Sequence, residues 1–181
     1  MDGNGQQPPE IVDLAVLPVG PGTGPVRPTG LRTWLVRPAR PITAAATRDA
    51  HGIRNCEVFA CPGWHRVAAD IYDVLCGRVL VAHGAAEHLR LLAAQLPGWR
   101  PPLVLDTARL ARTVWPRLAG GYGLDLLVTH AGLVAPPVEP GRRRHRAGYD
   151  AWMTGQLLFA MVRRAGLTWD QLVAAARLPG A

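Results

Sequence analysis

Apolar residues along this chain fall into two kinds of pattern. Short continuous apolar runs at 10–19, 31–36, 78–82 and 103–106 predict buried β-strands. Apolar residues at helical spacing predict helices over 44–50, 64–75, 85–96, 107–118, 123–133, 149–164 and 169–178. The Pro- and Gly-rich segment 18–30 separates the first two strands, which we expect to pair as antiparallel neighbours. This order predicts an α/β fold in which helices flank a mixed sheet.

The segment 78–92 combines a strand, a turn of small residues and the start of a helix. Ligands collect at the carboxyl ends of strands in open α/β sheets. The polar side chains that follow this strand are His83, Glu87 and His88, so residues 83–88 are a candidate functional region. The alternative interpretation is that Glu87 and His88 only occupy the exposed first turn of a helix.

Composition limits the function classes only weakly. The 181 residues suit one domain. The net charge of +7 would favour an anionic partner, but every one of the 20 basic residues is Arg, which is typical of a GC-rich coding bias. Cys56, Cys61 and Cys76 lack the spacing of metal ligands, and we expect them to be packing residues without disulfides. With no apolar run of membrane-spanning length and a polar amino terminus, we expect a soluble, cytoplasmic protein.

A series of short motifs gives a more specific indication. They are EIVDLAV at 10–16, TWLVRPARPI at 33–42, HGI at 51–53, RVLVAHGAA at 78–86, LDTARLAR at 105–112, GLDLL at 123–127 and HRAGYD at 145–150. In this order the motifs resemble the DEDDh 3′–5′ exonucleases, the family of bacterial proofreading subunits. The resemblance implies a ribonuclease H-like domain over residues 1–165, with 166–181 forming a carboxy-terminal helix packed on the same domain.

The resemblance also implies a chemistry. Members of the family hydrolyse the terminal phosphodiester of a nucleic acid with two Mg²⁺ or Mn²⁺ ions that four carboxylates hold, while a histidine acts as the general base. It assigns the base to His145 and one metal ligand to Asp150, with His145 in a loop and Asp150 in the first turn of a helix. The alternative is that His145 is one more residue of a solvated loop.

Basic residues surround the predicted base. They are Arg142, Arg143, Arg144 and Arg146. We expect this group to contact the phosphates of a single-stranded 3′ end, in which case binding would weaken steeply with salt. The alternative is that the arginines form an ordinary solvated surface.

Two departures from the family argue against ordinary activity. The family's Asp in the second helix falls on His88, and an imidazole is a poor ligand for a hard cation such as Mg²⁺. The Asp-x-Glu pair of the family's first, central strand is missing, because nothing before Glu10 has strand character. We do not expect Asp2 or Asp13 to replace that pair, although Asp13 matches a supporting acidic position. Only Asp150 would remain, with Glu87 as a doubtful second carboxylate.

The missing central strand has a structural consequence. Two apolar strands would be left with unpaired edges, which proteins normally avoid. We expect one of three explanations: the chain begins too late because its start codon is assigned downstream of the true one, the gap closes by rearrangement, or a partner or a second copy donates a strand.

Three functions therefore stay open. The first is a metal-dependent 3′–5′ exonuclease whose longer form regains the Asp-x-Glu pair. The second is a catalytically inactive descendant that still binds nucleic acid. The third is a protein-interaction module that keeps only the fold. We expect an exonuclease-like domain that is inactive or impaired in the chain as given, without a tightly bound metal.

Overall fold

The computed structural model describes residues 1–20, 30–134 and 145–180. In these residues the strands are β1 (Asp2–Gly3), β2 (Ile11–Val16), β3 (Arg32–Leu35), β4 (Leu80–Ala82) and β5 (Val104–Asp106). The α-helices are α1 (Asn55–Val58), α2 (Trp64–Leu75), α3 (Ala85–Gln95), α4 (Thr107–Val114), α5 (Leu124–His130), α6 (Ala147–Ala165) and α7 (Trp169–Ala176). A short π-helix spans Ala46–His51. Each strand and helix that the apolar pattern predicts is present, with its ends shifted by a few residues.

The sheet is divided into two hydrogen-bonded parts. In the antiparallel part β2 lies between β1 and β3, and Asp13 pairs with Asp2 on one side and with Leu35 on the other. In the parallel part Leu80–Ala82 lies in register with Val104–Asp106. The predicted mixture of antiparallel and parallel strands is therefore confirmed. Within the described residues, β1 is the only strand that pairs with the edge of β2 facing away from β3, and no strand pairs with the edge of β4 facing away from β5.

Two groups of helices bury the strands. α2 and α3 pack with β2 and β3 in one apolar cluster that includes Leu14, Ile71 and Leu92. α6 contacts β2, β3 and β4, and it joins α4 and α7 in a second cluster around Leu110 and Leu157. Helix α6 therefore spans both parts of the sheet, and its amino-terminal end is held against β2.

The amino terminus differs from our prediction. We expected no strand character before Glu10, whereas Asp2–Gly3 forms β1 on the edge of β2. Backbone pairing places this strand, and two residues are too few for an apolar pattern to reveal. The pattern likewise gives no sign of the single helical turn α1.

Two further expectations can be compared with the structure. The cysteines form no disulfide, as predicted, but Cys56 and Cys76 are exposed and not packed in the core. None of the helices in the described ranges combines the length and the apolar character needed to cross a lipid bilayer.

Candidate metal and nucleic-acid site

The amino-terminal strand is held in place by two buried polar side chains. His51 accepts a hydrogen bond at Nδ1 from the backbone N–H of Ile53 (3.0 Å), so its Nε2 carries the proton and donates to the carbonyl of Gly3 (3.0 Å). The Oδ1 atom of Asn4 accepts from the backbone N–H of Glu10 (3.1 Å). These bonds position Asp2 directly opposite Asp13.

Asp2 is a half-buried residue whose carboxylate lacks a full set of hydrogen-bond partners. Its Oδ2 atom is inaccessible to solvent and has no hydrogen-bond partner. Burial raises the pKa of Asp2, the α-amine of Met1 opposes this effect, and the neighbouring Asp13 carboxylate adds to it. A buried carboxylate oxygen without a partner lowers the stability of the fold unless a cation or a hydrogen-bond donor compensates it.

Asp150 lies beside Asp2, in the first turn of α6. Burial raises the pKa of Asp150 to about 6, the α-amine of Met1 opposes this shift, and the Asp2 carboxylate reinforces it. The Asp2 carboxylate therefore destabilises the charged form of Asp150. The sequence singles out Asp150, whereas we did not expect Asp2 to contribute a carboxylate here, and its effect on the pKa of Asp150 shows that it does. The feature that could have indicated Asp2 is the short Pro-containing connection between residues 3 and 11, which lets Asp2 pair with Asp13 across a hairpin.

His88 reaches the same site from the first turn of α3. Burial lowers its pKa to about 4, and the α-amine of Met1 adds to the effect, so its imidazole is neutral at pH 7. Glu87 points away: its side chain is 62% exposed and pairs with Arg90 at 2.7 Å. The interpretation as an exposed first helical turn is therefore correct for Glu87 and wrong for His88. Glu87 adds no carboxylate to the site.

His83 has a structural role at the start of this helix. Its Nε2 donates to the carbonyl of Tyr122 (2.9 Å), and its Nδ1 accepts from the Thr107 hydroxyl (2.9 Å). Asp106 accepts hydrogen bonds from the backbone N–H groups of Gly84, Ala85 and Ala108 at 3.0, 3.2 and 2.8 Å. Together these bonds fix the turn between β4 and α3 and orient His88.

The start of α6 is anchored by a buried ion pair. Nε of Arg146 lies 2.7 Å from Oδ2 of Asp13, and the two side chains are 12% and 6% exposed. The same oxygen accepts from the backbone N–H of Ala147 (3.3 Å). Arg146 is therefore not one of the exposed phosphate-contacting arginines that we expected, because its side chain is buried in an ion pair. It positions α6, and Asp13 has the supporting role that we predicted for it.

His145 precedes this anchor. Its backbone is in the left-handed region (φ 60°), which is uncommon outside glycine. The side chain is 63% exposed, and its Nε2 lies 3.6 Å from Oδ2 of Asp125 in α5. His145 also contributes to the electrostatic environment of Asp150, so the structure brings the two predicted catalytic residues together. Arg142, Arg143 and Arg144 lie outside the described residues.

The donor set fits a single cation better than two. Among the described residues, no three His, Cys, Asp or Glu side chains converge closely enough to hold a metal ion. Asp2 has one oxygen without a hydrogen-bond partner and raises the pKa of Asp150, and one divalent cation would neutralise the charge of the two carboxylates. Asp13 is already engaged by Arg146, and the third nearby group, His88, is a neutral imidazole.

Comparison with known proteins identifies relatives, although no family model matches the chain. The chain is 33% identical over 139 residues to exodeoxyribonuclease 10 of Escherichia coli, covering 76% of this chain and 57% of that protein. It is 30% identical over 133 residues to the PolC-type DNA polymerase III of Streptococcus thermophilus, covering 71% of this chain and 8% of the polymerase. The chain thus spans little more than half the length of the first of these relatives.

A solved structure is also similar to this fold. It is exonuclease X in complex with 5′ overhanging duplex DNA, with a TM-score of 0.72 and 28% sequence identity. The similarity covers 96% of this chain and 91% of that one.

Proposed function

This chain is a homologue of the DEDDh-type 3′–5′ exonucleases and has their ribonuclease H-like fold, and we propose that it binds the 3′ end of a nucleic acid with impaired hydrolytic activity. The observation that carries this proposal is the convergence of Asp2, Asp150 and His145 at one end of the sheet. These three side chains support binding of the substrate, and the shortage of carboxylates at the site supports the impaired hydrolysis.

A Mg²⁺ or Mn²⁺ ion bound by Asp2 and Asp150 would supply positive charge for the phosphodiester transition state. The unpartnered Oδ2 of Asp2 and the raised pKa of Asp150 support this assignment, because both would be relieved by a cation. His88 supports the impairment, since a neutral imidazole stands where a further carboxylate would complete the negative charge. The residues present therefore suit one weakly held ion.

His145 is the residue that we assign as general base. The Asp125 carboxylate, 3.6 Å from Nε2, would stabilise the imidazolium that forms when the ring takes a proton from water. With Asp125 on the Nε2 side, Nδ1 is the atom that would receive this proton. The left-handed backbone conformation of His145 and the adjacent Arg146–Asp13 ion pair fix the position from which the imidazole ring of His145 projects.

Nucleic-acid binding has separate support. The similar structure of exonuclease X contains duplex DNA with a 5′ overhang. In this chain Arg142, Arg143 and Arg144 directly precede His145 in the sequence, and we assign them to phosphate contacts. Each phosphate contact would release a counterion and make the affinity fall with salt.

The test combines binding and cleavage with the same oligonucleotides. A single strand and a duplex with a 5′ overhang, both labelled at the 5′ end of the strand to be trimmed, are titrated with the protein by fluorescence anisotropy in Mg²⁺ or Mn²⁺. Products are then read on a gel. We expect salt-dependent binding, slow trimming from the 3′ end, and loss of this residual trimming in Asp150→Asn.

The matched control is Asp73→Asn, which removes an exposed carboxylate on α2 and should change neither readout. Absence of binding to both substrates in either metal would refute the nucleic-acid proposal. Rapid Mg²⁺-dependent trimming by the unmodified 181-residue chain would refute the impairment. Residual trimming that is equal in Asp150→Asn and in the control would refute the assignment of Asp150.

A further inference from the structure

Phe59 is the most exposed of the described Phe, Tyr and Trp side chains, with 76% of its surface accessible to solvent. It caps the carboxyl end of the helical turn α1, whose last residue, Val58, is buried with Val12, Ile42 and Ile53. Successive residues of a helical turn point about 100° apart, so the burial of Val58 directs Phe59 outward. The fold therefore presents this ring to solvent from a turn that is packed on the sheet.

Arg37 holds the loop that follows this ring. Its Nη1 atom donates to the carbonyl of Phe59 (3.2 Å), its backbone N–H donates to the carbonyl of Pro62 (2.9 Å), and its backbone forms a bridge with Gly63. The ring of His65 lies against Gly63, with Cε1 and Nδ1 each 3.3 Å from the position that a Cβ would take there. The side chains of Arg37, Phe59 and His65 are all exposed, and we call these three residues the aromatic–arginine patch.

The turn α1 adjoins the candidate site. The N–H of Ile53, which packs with α1, donates to the same His51 ring that holds β1. The backbone hydrogen bond from Arg54 lowers the pKa of Glu57 in α1, and the Arg146 guanidinium adds to this shift. The turn is therefore joined through His51 to β1 and lies within electrostatic range of the start of α6, the two elements that carry the carboxylates of the site.

The surroundings of Phe59 favour a nucleic-acid base over a protein partner. The exposed residues Arg54, Asn55 and Glu57 of the same turn are polar. A single ring among polar groups offers far less apolar area than the roughly 800 Å² that each partner buries in a typical protein interface. An aromatic face beside a guanidinium is instead the combination that binds single-stranded nucleic acids, because every base has a π-face and the backbone carries phosphates.

We propose that Phe59 stacks on an unpaired base of the bound strand and that Arg37 contacts an adjoining phosphate. The inference rests on the proposed function, in which the 3′-terminal nucleotide lies at Asp2 and Asp150. Phe59 lies outside that group of carboxylates, so the base that it binds is upstream of the terminal nucleotide. Within the described residues the guanidinium of Arg37 uses one of its N–H donors on the Phe59 carbonyl, and a guanidinium has several.

The experiment measures binding of the full chain to a 5′-labelled single-stranded DNA of about 12 nucleotides, protected at its 3′ end by a phosphorothioate linkage, by fluorescence anisotropy in Mg²⁺. We expect Phe59→Ala to bind about tenfold more weakly, because it loses the stacked base, and Phe59→Trp to bind as the wild type does. The matched control is Trp169→Ala, which removes an exposed aromatic ring on α7 (57% exposed) and should leave the affinity unchanged.

Two further readouts identify the contacts. In a series of DNAs with one abasic nucleotide each, we expect one upstream position to weaken binding of the wild type by a similar factor and to leave the affinity of Phe59→Ala unchanged. Arg37→Gln should lower the slope of log affinity against log salt by about 0.7, as expected for one lost phosphate contact on a single strand. Phe59→Ala should keep the slope of the wild type.

Four results would overturn the inference. Equal affinities of the wild type and Phe59→Ala would do so and would leave the proposed function intact. Weaker binding by Phe59→Ala that is independent of every abasic position would exclude stacking. A wild-type dimer that Phe59→Ala dissociates, measured by mass in solution, would make a second copy of the chain the partner of Phe59. Absence of DNA binding by the wild type would overturn the inference together with the proposed function.

Discussion

Asp150→Asn should make the folded protein more stable at neutral pH. Burial, with a contribution from Asp2, raises the pKa of the Asp150 carboxyl from 3.8 to about 6. A carboxyl whose pKa is higher in the folded state contributes stability at low pH, and this contribution is lost as the pH rises from about 4 to about 6. At about 1.4 kcal/mol per pKa unit the full cost above pH 6 is roughly 3 kcal/mol. The neutral amide of Asn avoids this cost.

The assay is urea denaturation of the wild type and the variant between pH 4.5 and 8 without divalent ions. We expect Asp150→Asn to exceed the wild type by about 1–3 kcal/mol above pH 6.5, with the difference shrinking toward pH 4.5. His88 contributes the opposite slope to both proteins, because burial lowers its pKa to about 4, so the difference between the two proteins isolates Asp150. The exposed Asp73→Asn serves as the control. A variant that is less stable than the wild type at every pH would refute the argument that the carboxylate is uncompensated.

Other substitutions test the anchor and the metal site. Arg146→Ala leaves the buried carboxylate of Asp13 unpaired and should cost about 3 kcal/mol in urea denaturation, whereas Arg90→Ala, which removes an exposed pair, should have little effect; equal losses would contradict the anchoring role. His88→Asp should bind Mn²⁺ about tenfold more tightly than His88→Asn by calorimetry, since it adds a negative oxygen ligand beside Asp150. Equal affinities of the two His88 variants would show that this position does not face the ion.

The apolar pattern was sufficient to predict the long elements. α2 and α6 have a continuous buried stripe, and the Thr168 capping box that predicts the start of α7 is present with its hydrogen bonds to Gln171. These features depend on residues close together in the sequence, where local propensity and periodicity act. The similarity to exonuclease X confirms the fold class that the ordered motifs indicated.

The site is harder to predict because long-range contacts decide it. Asp2 gains its environment from residues such as Asp13 and Asp150, far along the chain. The role of Arg146 depends on an ion pair across 133 positions, which an arginine-rich stretch of sequence does not distinguish from a solvated surface. His88 and Glu87 are neighbours in sequence, yet their helix turns one inward and the other outward.

The Asp106 carboxylate accepts backbone hydrogen bonds from the first residues of both α3 and α4. One side chain thereby fastens two helices and the turn after β4 into a single mechanical unit. Fraying of either helix would leave the buried Asp106 carboxylate without some of its hydrogen-bond donors. We therefore expect α3 and α4 to open together as one cooperative segment in hydrogen exchange.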